Sequence, residues 1–558
     1  MPTTRAERSQ SQLPQRAPRR RLGAAMALTA AAALLAGCAA APAADDDTNT
    51  VTFGIEGANL GSGHMDIHST QLDVSSLVLR NVFDSLVGQT ADGQFVPWLA
   101  KSWEISDDQL QYTFTLRQDV TFHDGEPFNA EAVKANFDHI VDPETASAQA
   151  ASLIGYAEED GYYVGTEVLD EYTVRVDFSQ PYAPFLQGLS LPQLGFYSPK
   201  ALAEHKDDLK AGGPGVTVGT GPFVLSEYTP DQELRFTAND EYAWPAEGTE
   251  HQGRAASDEL VIRVLPESAS RVGALNSGEV DVIADVTPTM VQEVGDGFDV
   301  TAVELPGIPY SLYINEAHGV FADPLVRQAF RLGFDLDAAV EGVYDGQYAR
   351  AWSVLAPTTP NSYEPAVEGT WSYDTDKANA LLDQAGWTER DADGYRTKDG
   401  VRLGAVWTAW TPVPDDRAAL ADIIQSDLRD IGFQLARQVV EPAQYNELYA
   451  TRAFDLTDWG FSSPDADVLR SHLRTGGFQT VSTVSKPEID ELLDQAVATS
   501  DPAERERLYQ EVQRWNNEQV LIVPLVVPSE ITVASTSVKG LTFDLYGRAS
   551  FYGATVER

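Results

Sequence analysis

Strand-like and helix-like hydrophobic patterns alternate along this chain from Val51 to near its C-terminus, with no polar break between them. Gln111-Tyr-Thr-Phe-Thr-Leu-Arg117 and Tyr172-Thr-Val-Arg-Val-Asp-Phe178 alternate with the period of two that a half-buried strand needs, and residues 259–265 do the same. Helices are marked by their ends. Asp323-Pro324 supplies an N-cap and a first-turn proline ahead of the stripe Leu325, Val326, Ala329 and Phe330. Asp501-Pro502 repeats the device, and Glu504 is placed to complete a capping box before Leu508, Val512 and Trp515. Ala378, Leu381, Leu382 and Ala385 form a third stripe stopped by Gly386, and residues 420–431 a fourth stopped by Gly432. No repeat at solenoid spacing is present. The pattern predicts an α/β fold throughout, and 558 residues are enough for two to four domains.

The first 50 residues read differently. Arg19, Arg20 and Arg21 precede an apolar run over residues 22–36, which ends in Leu35-Ala36-Gly37-Cys38. As a helix that run would span about 22 Å, short of a ~30 Å hydrocarbon core, so residues 1–37 read as an export signal and not as a membrane anchor. The last four residues resemble a bacterial lipobox. The resemblance implies that Cys38 receives a diacylglycerol and becomes the new N-terminus, tethering the protein outside the cytoplasmic membrane. Two acyl chains and an amide-linked third hold firmly, whereas one chain binds marginally. An ordinary signal peptide with a chance cysteine is the alternative. Three consecutive arginines also point toward twin-arginine export, although the residues after them fit that pattern weakly. Residues 38–50, rich in Ala, Pro and Asp, read as a flexible tether.

Charge narrows the function. The chain carries 39 basic and 84 acidic side chains; removing six arginines and one glutamate with residues 1–37 takes its net charge from -45 to about -50. Nucleic-acid binding needs clustered Lys and Arg, and anionic lipid surfaces are disfavoured for the same reason. Cys38 is the only cysteine, so no intramolecular disulfide can form and stability must come from a large core. A hydrolase lacks support: no Gly-x-Ser-x-Gly elbow or His-Glu-x-x-His helix occurs, although paired carboxylates for glycosidase chemistry stay open.

Five segments then occur in one order. They are residues 112–133 with Phe122-His123-Asp124-Gly125, Gly219-Thr220-Gly221-Pro222-Phe223 with Asn239 to Trp244, residues 321–337, residues 373–387, and residues 424–433 followed by Val523-Pro524. Together they resemble the peptide/nickel-type extracellular solute-binding proteins of ABC importers. The resemblance implies a two-lobed periplasmic-binding-protein clamshell (type II-like), with an extra domain in the first lobe and no cofactor. It places the first lobe at 51–310, the second at 311–515, and a C-terminal segment at 516–558 that completes the first. It further implies a monomeric receptor, not an enzyme, that closes on a small solute and hands it to permease subunits. Peptides are the family's commonest cargo; metal chelates, opines and sugars are the others. A sensory or chaperone-like role on the same fold is a further alternative.

The same resemblance supplies site residues. Asp455-Leu-Thr-Asp-Trp-Gly-Phe-Ser-Ser-Pro-Asp-Ala-Asp467 aligns with a family stretch whose Trp lines the cleft and whose Asp, three residues on, pairs with a peptide's ammonium. Trp459 matches that Trp, with Phe461 beside it, but Ser462 stands at the Asp position and Ser463 at a Tyr position. Asp465 or Asp467 would have to take over the ammonium, unless both serve as caps for the helix beginning near Val468. From the residues themselves, Trp407 and Trp410 suit either an apolar cleft wall or core packing. Tyr310 and Tyr313 lie where the first lobe hands over to the second, which suits a hinge or cleft wall. His64, Met65 and His68 raise a metal reading that an architectural role for Asp66 and His68 opposes. His123-Asp124-Gly125 reads as a turn, Gly219 to Pro222 as backbone geometry without the phosphate-loop ending, and Arg327 as a surface or interlobe contact.

Overall fold

The computed structural model describes residues 49–57, 59–156 and 161–558. Residues 1–37, Cys38 and the tether as far as residue 48 lie outside the described residues. A seven-stranded sheet organises one lobe, in the order Phe298–Glu304, Ser529–Ser535, Val282–Ile283, Thr50–Ile55, Glu259–Val264, Glu233–Ala238, Phe223–Thr229. Its central Thr50–Ile55 strand runs parallel to both neighbours, with Phe53 opposite Ile262 on one side and Val282 on the other. A six-stranded sheet organises the second lobe, in the order Ala349–Arg350, Ile522–Val527, Gly307–Ile314, Leu456–Ser462, Gly404–Trp410, Gln434–Val440. Gly307–Ile314 and Ile522–Val527 are buried along their whole length, as their near-continuous apolar sequences require of central strands.

The predicted extra domain is a four-stranded antiparallel sheet, ordered Ala100–Ile105, Gln111–Leu116, Thr173–Phe178, Tyr163–Asp170, and packed on the Ala130–Val141 helix. The period-two reading holds there: Tyr112, Phe114 and Leu116 are buried, as are Val174, Val176 and Phe178. Helix starts behave as read. Asp323 accepts from the Leu325 N–H at 2.9 Å, and Asp501 from the Ala503 N–H at 3.0 Å. The capping box does not close, however. The Glu504 carboxylate bonds Arg507 at 2.7 Å, because a guanidinium three residues on outcompetes a neutral N–H, and the Asp501 N–H turns to Thr499 instead.

The chain crosses between the sheets twice, at residues 304–307 and 527–529, and the Leu305 N–H ties the crossings together by donating to Pro528 O at 2.9 Å. Two boundaries therefore move. Gly307–Ile314 pairs only within the second sheet, so the first crossing lies near 306 and not 310. Pro502–Gln519 packs against the second lobe's helices and Ile522–Val527 pairs with Gly307–Ile314, so the returning segment begins at Ser529 and not at 516. The lobes also touch away from the crossings: the Ala183 N–H donates to Val497 O at 2.9 Å and the Ser500 N–H to Gln109 at 2.8 Å. Among the described residues no helix is long and apolar enough to cross a membrane.

Candidate functional site

Strand direction locates the site. In the first sheet the parallel strands end at Ile55, Val264 and Ile283, and the antiparallel Ser529–Ser535 strand, with Val533 opposite Ile283, begins past that same end. In the second sheet the parallel strands end at Trp410, Val440 and Ser462, and the antiparallel Gly307–Ile314 strand begins beside Ser462. Both sets of carboxyl ends thus meet at the two crossings. That crevice is where open α/β sheets bind ligands. The approach is tight: Gly307 has φ +96°, and a Cβ there would lie 2.4 Å from Ser463 N and 2.5 Å from Phe461 O.

The first-lobe wall is acidic. Just past the strand ends, the Glu56 N–H donates to Asp285 at 3.1 Å and the Asp285 N–H donates to Glu530 at 3.1 Å. Burial, and then the charge of Asp285, push the Glu530 carboxyl well above its usual range; burial raises Asp285 too. Arg271 is spent on backbone, donating to the carbonyls of Leu265, Pro266, Ala284 and Asp285. Tyr348 of the second lobe packs against the first-lobe cluster that contains Val272, Ile283 and Ile531, so the walls are close there, and burial, then Asp416 and Glu530, push its hydroxyl up to about 12.

The second-lobe wall is aromatic. Trp410 and Phe461, at the ends of adjacent strands, are 37% and 41% exposed, unusual for large rings in this protein. The edge of Trp410 meets Tyr445 at 4.7 Å, and Phe461 meets the His472 ring at 5.5 Å. Behind Phe461 on the same sheet face, Trp459 stacks on buried Tyr313 at 3.8 Å and meets Tyr449 at 5.9 Å. Four buried polar atoms in this cluster have no protein partner: Trp459 Nε1, Tyr313 OH, Tyr449 OH and His472 Nε2. Nδ1 of His472 lies 2.8 Å from Val468 O and carries the proton, which leaves Nε2 an acceptor; burial lowers this imidazole to about 4, so it is neutral.

The structure separates other residues that sequence placed together. Trp407 and Trp410 are three apart in one strand, so they point to opposite faces; Trp407 is in the core and Trp410 at the crevice. Trp407 Nε1 donates to Asp458 at 2.6 Å and the Tyr310 hydroxyl donates to it at 2.5 Å, so Tyr310 lines no open wall. Burial raises the Asp458 carboxyl despite those two donors. Asp465 pairs with Arg505 at 2.9 Å, and Asp467 with Arg470 at 2.7 Å. Neither carboxylate is free for an ammonium and neither caps by its side chain: the Val468–Leu473 helix has no side-chain cap bond. Ser463 serves the crossing, its N–H donating to Pro306 O and its hydroxyl to Asp465 O, both at 3.0 Å. Ser462 lies half-buried opposite Gly307.

Three further readings resolve. Arg327 is neither a surface nor an interlobe contact; it is buried and donates to Gln519 O and Phe321 O within its own lobe. His68 is wholly buried, 2.8 Å from Gly195 O through Nε2 and 3.0 Å from the His139 ring, and Asp66 accepts its N–H. Among the described residues no group of three His, Cys, Asp or Glu could hold a metal ion. Gly125 has φ +85° in the predicted turn, and His123 Nε2 lies 2.9 Å from Gly221 O. Asp285, Glu530, Asp458 and His472 escaped sequence reasoning. Only Asp458 left a signal, as an acid at an inward position between Leu456 and Gly460.

Residues 94–480 match the family of bacterial extracellular solute-binding proteins, family 5. Heme-binding protein A of Haemophilus influenzae is 29% identical over 91% of this chain and 92% of its own. Di/tripeptide-binding protein 2 of Pseudomonas aeruginosa is 29% identical over 88% and 91%. The crystal structure of NikA from Brucella suis in complex with Fe(III)-EDTA superposes with a TM-score of 0.77 at 27% identity, covering 91% of this chain and all of that one. A two-lobed α/β body, a crevice at converging strand ends and this match over most of the sequence have one reading: the chain belongs to the family 5 solute-binding proteins of ABC importers.

Proposed function

We propose that the protein is a lipid-anchored receptor, held through Cys38, that captures a short peptide between its lobes and delivers it to an ABC permease. Two observations support this reading: Trp410 and Phe461 are exposed at second-lobe strand ends, and Asp285 and Glu530 are neighbours just past the first-lobe strand ends, on the two sides of the crossings. An apolar side chain suits the rings, and an ammonium suits a carboxyl pair that burial raises against the pull of Arg271 and Arg548. Asp285 and Glu530 thus take the part that Ser462 cannot play and that Asp465 and Asp467 have surrendered to arginines. Di/tripeptide-binding protein 2 lends a precedent for peptide cargo. Closure then follows from differential affinity, since solute touching both walls favours the state in which they meet.

A second reading, a solute without a free ammonium, is favoured by the cluster around His472, where Trp and Tyr donors and a neutral imidazole acceptor are offered without a carboxylate among them. Titration calorimetry on unfolded and refolded protein separates the two. Alanyl-phenylalanine is expected to bind one to one and to be recovered unchanged, while its N-acetyl form fails. Binding of haem or Fe(III)-EDTA with no response to peptide would select the second reading, and turnover of any probe would refute both.

A further inference from the structure

Outside the crevice, the second lobe buries a guanidinium that no carboxylate pairs. Arg331, on the Pro324–Leu332 helix, is 2% exposed, makes no ion pair among the described residues, and leaves Nη1 without a hydrogen-bond partner. It borders a void of about 10 Å³, also lined by Trp352, Ser353, Gln513, Asn516 and Asn517, which is room for one water-sized particle. The amide oxygens around the void are already committed. Gln513 Oε1 accepts from the Ser353 hydroxyl at 2.9 Å and the Glu364 N–H at 3.1 Å, Asn516 Oδ1 from the Ile522 N–H at 3.0 Å, and Asn517 Oδ1 from the Thr370 hydroxyl at 3.4 Å.

Positive charge is in excess at the same place. Arg350 stacks on Trp352 at 3.3 Å, and its Nε is likewise buried without a partner. The nearest opposing charge, Asp337, is taken by Arg350 at 2.5 Å and is largely exposed, and Glu364 is taken by Arg514. Burial, then repulsion from Arg350, lower Arg331 to about 9. A water would satisfy the N–H and leave the charge; an anion answers both deficits.

We propose that Arg331 holds a buried chloride ion in this void, as a structural site independent of the solute crevice. The void is too small for phosphate or sulfate, and fluoride gives up its hydration too reluctantly. The test is thermal unfolding of the purified full chain in sodium chloride, bromide or fluoride at matched ionic strength. Chloride and bromide are expected to raise Tm by roughly 1–3 °C per tenfold concentration above the dissociation constant, while fluoride at the same concentrations does not. Arg331→Met should abolish the difference between halides. If that variant does not fold, bromide-soaked crystals of the unaltered protein decide, with an anomalous peak expected beside Arg331 Nη1. Equal melting in all three salts, a halide effect that persists in Arg331→Met, or no bromide peak would overturn the site.

Discussion

Phe461→Ala is the sharpest perturbation of the crevice. The ring sits at a strand end with 41% of its surface exposed and one aromatic neighbour, His472 at 5.5 Å. For a side chain of roughly 200 Å², that leaves about 80 Å² for solute to cover, worth ~2 kcal/mol at ~25 cal/mol per Å². Truncation should therefore weaken alanyl-phenylalanine binding about 30-fold, while the roughly 120 Å² already buried, less what the alanine methyl keeps, costs the empty fold about 2 kcal/mol. Trp459→Ala should behave in the opposite sense. Its ring is stacked on Tyr313 at 3.8 Å and packed over a buried cluster, so its loss should cost ~3 kcal/mol. At about 2.1 cal/mol/K for each of roughly 510 residues, that is a fall in Tm of about 3 °C if unfolding is cooperative. Calorimetric titration and thermal melting of both variants give the four numbers. Binding by Phe461→Ala within about twofold of the unaltered protein, or a melting loss larger than that of Trp459→Ala, would refute the assignment of Phe461 to the solute wall.

Other consequences are equally concrete. A Cβ at Gly219 would lie 2.1 Å from Val82 O, so Gly219→Ala should lose about 3 kcal/mol or more in denaturant unfolding. Arg505→Met leaves Asp465 in a buried site without its cation and should cost ~3–5 kcal/mol by thermal melting, whereas the double change with Asp465→Leu should recover most of it. Burial raises the Asp84 carboxyl from 3.8 to about 7 against the pull of Thr220, Arg80 and Trp244. Between those values the unfolded chain has lost this proton and the folded one keeps it, so this contribution to stability falls as pH rises from about 4 to 7. Asp84→Asn should make the pH–stability slope across that window more positive by about one proton. Peptide affinity should rise with pH as Glu530, raised above its usual range, gives up its proton and leaves the pair more negative; Glu530→Gln should flatten that dependence in calorimetry.

The elements were readable where a local rule decides them. Asp323 and Asp501 cap their helices, Gly386 and Gly432 end theirs with φ +87° and +79°, and period-two segments became strands. The site was less readable because its walls meet through topology. Asp285 and Glu530 are 245 positions apart and become neighbours only because the chain returns to the first sheet after crossing the second. Trp407 and Trp410 looked like a pair, but a strand period of two sends them to opposite faces. Asp465 looked available until Arg505, from a helix 40 positions away, claimed it. Spacing cannot announce such a partner, since any of the many arginines would serve. Glu504 shows the same limit at short range, where the capping box lost to an ion pair with Arg507.

The most direct measurement is a crystal structure of the refolded protein with alanyl-phenylalanine. Peptide density is expected between the lobes, its amine within hydrogen-bond reach of Asp285 or Glu530 and its phenyl ring against Trp410 or Phe461. Peptide bound elsewhere, or an amine held by another carboxylate with Asp285 and Glu530 untouched, would contradict the central claim.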